Sequence, residues 1–173
     1  MKRLIVMLAI LLLVSFTVGC GGGRQRVALP QGVSIDIAVL SLGADTTGLN
    51  DDQIALLQHT LNWMDRDILR SLARKGFKPV RINNESDFTG TGNGHLLKIS
   101  ITKHKMIPKG ARFLAGMMAG TDQLGAHYDL VDSSGKTVLS WDDFQGSTKG
   151  GTYCAQTLNR NTANKIATYF SAN

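Results

Sequence analysis

The sequence predicts an α/β fold of the two-layer α+β kind. Its sheet is mixed, mostly antiparallel and of about five strands, with two helices on one face, in the order β-α-β-β-β-β-α. Apolar and polar residues alternate with a period of two from Val33 to Val39, the pattern of a half-buried strand. From Ile54 to Leu72 apolar residues recur at every third or fourth position, the pattern of one helix face. The second half of the chain returns to a period of two around a glycine turn and closes on another helical spacing.

In the first strand Val33, Ile35, Ile37 and Val39 alternate with Ser34, Asp36 and Ala38, and the pattern ends near Ser41. A polar loop runs from Gly43 to Asn50. Asn50 is placed to cap a helix, with Gln53 at the position that completes a capping box and Asp51 and Asp52 at the positive end of the dipole. Ile54, Leu57, Leu61, Met64, Ile68 and Leu72 form the apolar stripe, and Arg70, Arg74, Lys75 and Gly76 supply a basic last turn and a glycine stop. Phe77 to Ile82 reads as a short strand, which completes a βαβ unit if the outer strands are parallel. Asn83 to Gly94, rich in Asn, Gly, Thr and acids, reads as a surface loop. Leu97, Ile99 and Ile101 alternate with Lys98, Ser100 and Thr102; Leu124, Ala126, Tyr128 and Leu130 alternate with Gly125, His127 and Asp129. Ser133-Ser134-Gly135-Lys136 is a turn, from which Val138 to Phe144 returns with Leu139 and Trp141 on one face. Leu158, Thr162, Ile166 and Tyr169 or Phe170 mark a C-terminal helix that covers the same sheet face.

Ahead of this domain, Lys2 and Arg3 precede an apolar run from Leu4 to Phe16, too short for an uncapped membrane span and of the length of a signal h-region. The run closes in Ser15-Phe16-Thr17-Val18-Gly19-Cys20, which resembles a lipobox: small residues admit a peptidase and the thiol of Cys20 accepts lipid. Residues 1–19 are therefore expected to be a lipoprotein signal peptide, and residues 20–32 a lipidated cysteine and tether. Residues 33–173 are expected to form one globular domain. Gly21-Gly22-Gly23 and Arg24-Gln25-Arg26 have the composition of a flexible linker. Gly21 stands where some lipoproteins carry the aspartate that retains them at the inner membrane, so the expected location is the cell envelope, facing the periplasm, with the outer membrane favoured.

With 43% hydrophobic and 18% charged residues and only 3 prolines, the composition is that of an ordinary globular chain. The net charge of +6 falls to +4 when Lys2 and Arg3 leave with the leader, and the remaining cations, such as Arg70, Lys98, Lys109 and Arg160, are dispersed. That spread argues against a nucleic-acid surface and fits a mildly basic skirt facing anionic lipid. Lipidation of Cys20 leaves Cys154 without a disulfide partner in an oxidising compartment, and Cys154 is expected to be a small packed residue near the start of the last helix.

The stretch Lys109-Gly110-Ala111-Arg112-Phe113-Leu114-Ala115-Gly116-Met117-Met118-Ala119-Gly120, followed by a strand and the turn Asp132-Ser133-Ser134-Gly135-Lys136, resembles the bacterial family called domain of unknown function 4410. The likeness extends more loosely from Ile35 to the end, and Met117 and Met118 are bulkier than the family's glycine pattern. The resemblance implies an envelope protein that carries a signal peptide, and no chemistry. Gly116 and Gly120 allow a bend or a close approach, and Phe113, Leu114, Met117 and Met118 are expected first to pack in the core, otherwise to form an adaptable contact surface together with Arg112.

A catalytic site is not expected. His59, His95, His104 and His127 do not fall at metal-ligand spacing, and no metal or cofactor is implied beyond covalent lipid on Cys20. His127 and Asp129 share a strand face with Ser133, Ser134 and Ser140 nearby, yet none of these serines lies in a Gly-x-Ser-x-Gly elbow. Asp51 with Asp52 and Asp142 with Asp143 are adjacent pairs whose side chains diverge, and they read as solvated charges. The favoured function is a membrane-anchored, noncatalytic accessory or assembly module that binds another envelope protein. The alternative is a periplasmic small-ligand binder or weak hydrolase that uses His127 or Asp129.

Overall fold

The computed structural model describes residues 28–29, 34–108, 110, 113–114 and 120–172. Its elements follow the expected order: β1 (Asp36–Ala44), α1 (Asp51–Ala73), β2 (Lys78–Arg81), β3 (His95–Lys105), β4 (Asp122–Val131), β5 (Thr137–Ser147) and α2 (Gly151–Ala172). A single 3₁₀ turn, Glu85–Asp87, interrupts the segment between β2 and β3. The five strands form one sheet in the order β2-β1-β3-β4-β5. β1 runs parallel to both β2 and β3, while β3–β4 and β4–β5 are antiparallel and carry the longer ladders. The first strand begins later and ends later than its apolar alternation suggests, because pairing with β3 continues past a register shift between Ser41 and Ala44.

Local signals set the ends of α1. Asn50 Oδ1 accepts from the Gln53 amide at 2.9 Å while Gln53 Oε1 accepts from the Asn50 amide at 3.1 Å, so two donors at the helix start are satisfied reciprocally. At the other end Gly76 adopts φ +95°, a conformation that costs glycine nothing, and the Phe77 amide turns back to the Leu72 carbonyl at 3.3 Å. The Asp132 turn is built the same way: its Oδ1 accepts from the amides of Ser134 at 2.8 Å and Lys136 at 3.0 Å, and Gly135 sits at φ +83°.

Both helices lie on one face of the sheet. Leu57, Met64, Ile68 and Leu72 of α1 and Leu158, Ala163, Ile166 and Ala167 of α2 bury Ile37, Val39, Leu97, Ile99, Leu124, Tyr128 and Leu130. On the opposite face a smaller cluster of Ala38, Leu40, Leu96 and Val131 lies under Ile82 and Phe88. Residues 83–94 are largely exposed, as expected of a surface loop, and Phe88 among them packs on this cluster. Since β2 and β3 flank β1 on opposite sides and point the same way, the connection must cross the sheet, and it covers part of the second face as it does.

Where the helices meet, polar groups enter the core. Asn159, fully buried, donates from Nδ2 to the Met64 carbonyl at 2.9 Å and to Asp67 Oδ2 at 3.1 Å. Ser71 Oγ also reaches Asp67, at 3.5 Å, and Arg74 holds Ser71 from the rim at 2.9 Å. Nearby Tyr128 stacks on Trp141 with ring centroids 5.0 Å apart, and burial pushes its phenol well above the ordinary range. Its hydroxyl has no hydrogen-bond partner among the described residues.

These two buried polar groups are expected to respond oppositely to deletion. Asn159→Ala removes two hydrogen bonds, one of them to a buried carboxylate, and should cost about 2–3 kcal/mol in urea unfolding. Tyr128→Phe removes a hydroxyl whose neighbouring polar group is Thr162, with no charged partner, and should stay within about 1 kcal/mol of the parent. Equal losses would show that Asn159 does not hold the helix pair.

Candidate functional site

The sheet brings together the residues that the sequence singles out for chemistry. On the open face His127 of β4 is paired in register with Asp142 of β5, and Asp129 with Ser140. His127 Nδ1 lies 2.9 Å from Asp142 Oδ1; Nε2 lies 3.4 Å from Asp129 Oδ1 and 3.4 Å from Ser140 Oγ. The hydrogen bond to Asp142 raises the His127 pKa above its usual value, with the charges of Asp129 and Asp142 acting in the same direction. Carboxylates near both ring nitrogens favour the protonated form of the imidazole over the neutral one. The cluster is a cross-strand ionic pairing on a sheet face. It also corrects the reading of Asp142 and Asp143 as merely solvated: Asp142 binds His127, and Asp143 Oδ2 accepts from Asn161 of α2 at 3.0 Å.

The other candidates separate. Ser134 donates its hydroxyl to Asp132 at 2.6 Å inside the turn, so it serves the hairpin. Cys154 is buried, with Sγ 3.6 Å from the Asp122 carbonyl, in keeping with a packed residue. Among the described residues no group of three or more His, Cys, Asp and Glu side chains is placed to hold a metal ion. No helix among them is long and apolar enough to cross a membrane. Cys20, Arg112, Met117 and Met118 lie outside the described residues.

What sequence reasoning did not locate is a cavity of about 320 Å³ at the end of the sheet where β3 finishes and β4 begins. Leu56, His59 and Thr60 of α1 form one wall, Met106 and Ile107 another, and Gly150 and Gly151 at the start of α2 a third. The chain leaving β3 is clipped in place by the Ile107 amide, which donates to the buried Asp122 carboxylate at 2.8 Å. Gly151 is required by the close approach of the two helices: a Cβ there would lie 2.6 Å from Met106 Sδ and 2.7 Å from Thr60 Oγ1. A smaller cleft of about 160 Å³ lies between β1 and α1, where Ser41 at 2.6 Å and Arg81 at 2.8 Å both engage Asp65, so its polar groups satisfy one another. Neither His127 nor Asp129 lines either cavity.

Phe113 and Leu114, adjacent in the segment between β3 and β4, are 89% and 86% exposed. This corrects the expectation that Phe113 and Leu114 pack in the core. Gly120, at φ +87°, supplies the expected bend before β4. Leu29, the point where the N-terminal segment joins the domain, donates its amide to the Lys75 carbonyl at 2.9 Å, beside the starts of β1 and β2. β3 runs from that end to the cavity end, and its 11 residues, at ~3.3 Å each, separate the two by roughly 36 Å.

No family model and no curated protein matches this chain. Among solved structures, the chain is similar to a PelC dodecamer from Paraburkholderia phytofirmans carrying a leucine-to-methionine substitution, with TM-score 0.57 and 15% identity over 80% of this chain and 92% of that one. A second crystal form of the PelC dodecamer gives TM-score 0.55 and 16% identity over 78% and 88%. A putative neuraminyllactose-binding hemagglutinin homolog from Helicobacter pylori gives 0.42 and 7% over 83% and 89%. At these identities the PelC likeness is one of fold, and the third is too distant to bear on this chain.

Two outcomes test this geometry. By NMR titration His127 should hold its proton to a higher pH than a free histidine, and Asp142→Asn should bring its pKa down. Because the folded pKa is raised, the stabilisation from this cluster is fully present below about pH 6.5 and is lost as pH rises through the folded value. An unshifted titration would remove the imidazolium argument. Gly151→Ala should destabilise by about 1–3 kcal/mol through overpacking against Thr60; a neutral substitution would mean that the cavity wall is soft.

Proposed function

We propose that this chain is a lipid-anchored protein of a bacterial cell envelope, facing the periplasm, with the outer membrane favoured. Its domain acts without catalysis, as an accessory or assembly module that binds another envelope protein. The observation that carries this reading is the pair Phe113 and Leu114, adjacent and both exposed; the other large exposed apolar side chains, such as Leu42, Val80 and Phe144, stand on separate strands. An adjacent aromatic and aliphatic pair at near-full exposure gains by leaving water, about 1.5–3 kcal/mol for each side chain fully buried.

The lipobox at Cys20 and the resemblance to domain of unknown function 4410 support the location. Two or more acyl chains make attachment durable where a single one is marginal. The fold shared with PelC, whose chains form a dodecamer in those crystals, supports assembly as the mode of action.

Intact mass spectrometry of membrane-extracted protein should find residues 1–19 removed and acyl mass on Cys20, and Cys20→Ser should lose both the acyl mass and membrane retention. A photo-crosslinking residue at position 113 should capture protein in the envelope, and one on the exposed Thr168 of α2 should not. Cleavage without lipid, giving a soluble product, would sink the anchor; equal capture at both positions would sink the contact surface.

A further inference from the structure

We infer that the end of the domain at which Leu29 enters rests on anionic lipid headgroups, with Arg70, Arg74, Lys75 and Lys78 supplying the charge. This inference rests on the anchored reading and adds an orientation to it. Lipid on Cys20 fixes where the domain is, and the basic end fixes which way it faces.

Chain length restricts which end lies near lipid. Eight residues separate Cys20 from Leu29, and even fully extended they hold Leu29 within about 32 Å of the anchor. Leu29 is itself fixed to the domain. Its amide donates to the Lys75 carbonyl at 2.9 Å, and its side chain covers Gly76, where a Cβ would lie 3.4 Å from Leu29 Cβ. At this end β1, β2 and β3 begin, α1 finishes, and α2 closes with Phe170 against Phe77 and His95. A domain standing on its opposite end would lift Leu29 by the length of β3, roughly 36 Å, which exceeds that reach.

Charge is distributed along α1 in the sense that this orientation requires. Asp51 and Asp52 open the helix at the far end, whereas Arg70 stands in its last turn and Arg74 at its C-cap, next to Lys75. Those cations also suit the negative end of the helix dipole. Lys78 lies outside the helix, at the start of β2, and adds to them. Arg70, Arg74 and Lys78 are all exposed. Arg74 engages Ser71 through Nη2 at 2.9 Å and stays 66% exposed, so the rest of its fork remains able to donate. The acids at this end are engaged or balanced. Asp67 is buried between the helices, Asp132 Oδ1 accepts from the amides of its own turn, and Asp36 stands opposite Lys78 in the β1–β2 register. The eight residues between Cys20 and Leu29 include Arg24 and Arg26 and no acid. Attraction to an anionic surface falls off within a Debye length, ~8 Å at physiological salt, so it acts on the end that the chain holds close. With that end on the lipid, the start of α1 and the cavity beside Gly151 are turned away from the membrane.

The test uses the lipid-modified protein as extracted from membranes, reconstituted into vesicles. Cys154 is buried and Cys20 carries lipid, so a fluorophore is directed to one introduced cysteine. Ala73→Cys marks the basic end of α1 and Ala55→Cys its acidic end; both positions are exposed and lie about 27 Å apart along the helix. Energy transfer to acceptors on the headgroups is compared between phosphatidylcholine vesicles and vesicles with about 30% phosphatidylglycerol. The ratio of transfer from position 73 to that from position 55 should rise about twofold with the anionic lipid and fall back in about 0.5 M NaCl. Arg70→Gln with Lys78→Gln should remove most of that rise and leave thermal unfolding unchanged, as both side chains are exposed. A ratio indifferent to anionic lipid, in protein that carries its acyl chains, overturns the orientation and leaves the anchored reading standing. A rise that survives the double substitution overturns the assignment to this end. Proximity of position 73 to headgroups in vesicles but not in native envelope membranes bearing the same acceptors shows that a protein covers this end, and overturns the lipid contact. Absence of acyl mass on Cys20 overturns the anchored reading and the orientation with it.

Discussion

The amide of Asn159 and the carboxylate of Asp67 fix how the two helices share one sheet face, and much else follows from that contact. Leucines and isoleucines alone would let α2 slide along α1, since apolar contact is non-directional. A buried carboxylate has a sharper requirement: it must find donors, and while Ser71 and Arg74 of the same helix supply two, Asn159 of α2 reaches it only in one register. That register brings Gly151 against Thr60 and Met106 and so walls the cavity at the far end. The same contact leaves Asn159 Oδ1, Thr162 Oγ1 and the Tyr128 hydroxyl without partners among the described residues, the cost of carrying polarity into a packed core.

With both helices committed to one side, the other side of the sheet must be kept soluble by its own side chains. Ile82 and Phe88, on the crossover between β2 and β3, cover the apolar patch at one end of it. Beyond their reach His127, Asp129, Ser140 and Asp142 replace apolar residues with charges that satisfy one another across β4 and β5. The edges are guarded by different means. β2 is four residues long and contains Pro79, which offers no amide. β5 is an eleven-residue edge strand, and it carries the adjacent acids Asp142 and Asp143 at its middle, where pairing with a like strand would place acid against acid.

Much of this was legible in the sequence because it is local. Asn50 with Gln53, Gly76, and Asp132 with Gly135 each act within a few residues, and the alternations of β3, β4 and β5 show which side chains face the helices. Contacts between distant positions were not legible. Asp67 and Asn159 are 92 residues apart, and nothing in either helix distinguishes Asn159 from the exposed Asn161 two positions on. Strand periodicity places His127 on a face but does not say which residue of β5 stands opposite, so Asp142 could be assigned only once the register was known. Phe113 and Leu114 illustrate another limit. Apolarity expresses a preference for leaving water and does not say whether the partner is the chain's own core or another molecule.

A contact through those two exposed residues makes different demands from one along the sheet edge. Adding a strand at β5 depends on backbone pairing over a long, twisted interval and would have to overcome its two acids. An apolar pair entering a recess needs only a short contact. In the function proposed above, attachment to a membrane would reduce the translational and rotational freedom lost on association with another protein of that membrane. A small interface that is too weak between freely diffusing domains would then be sufficient.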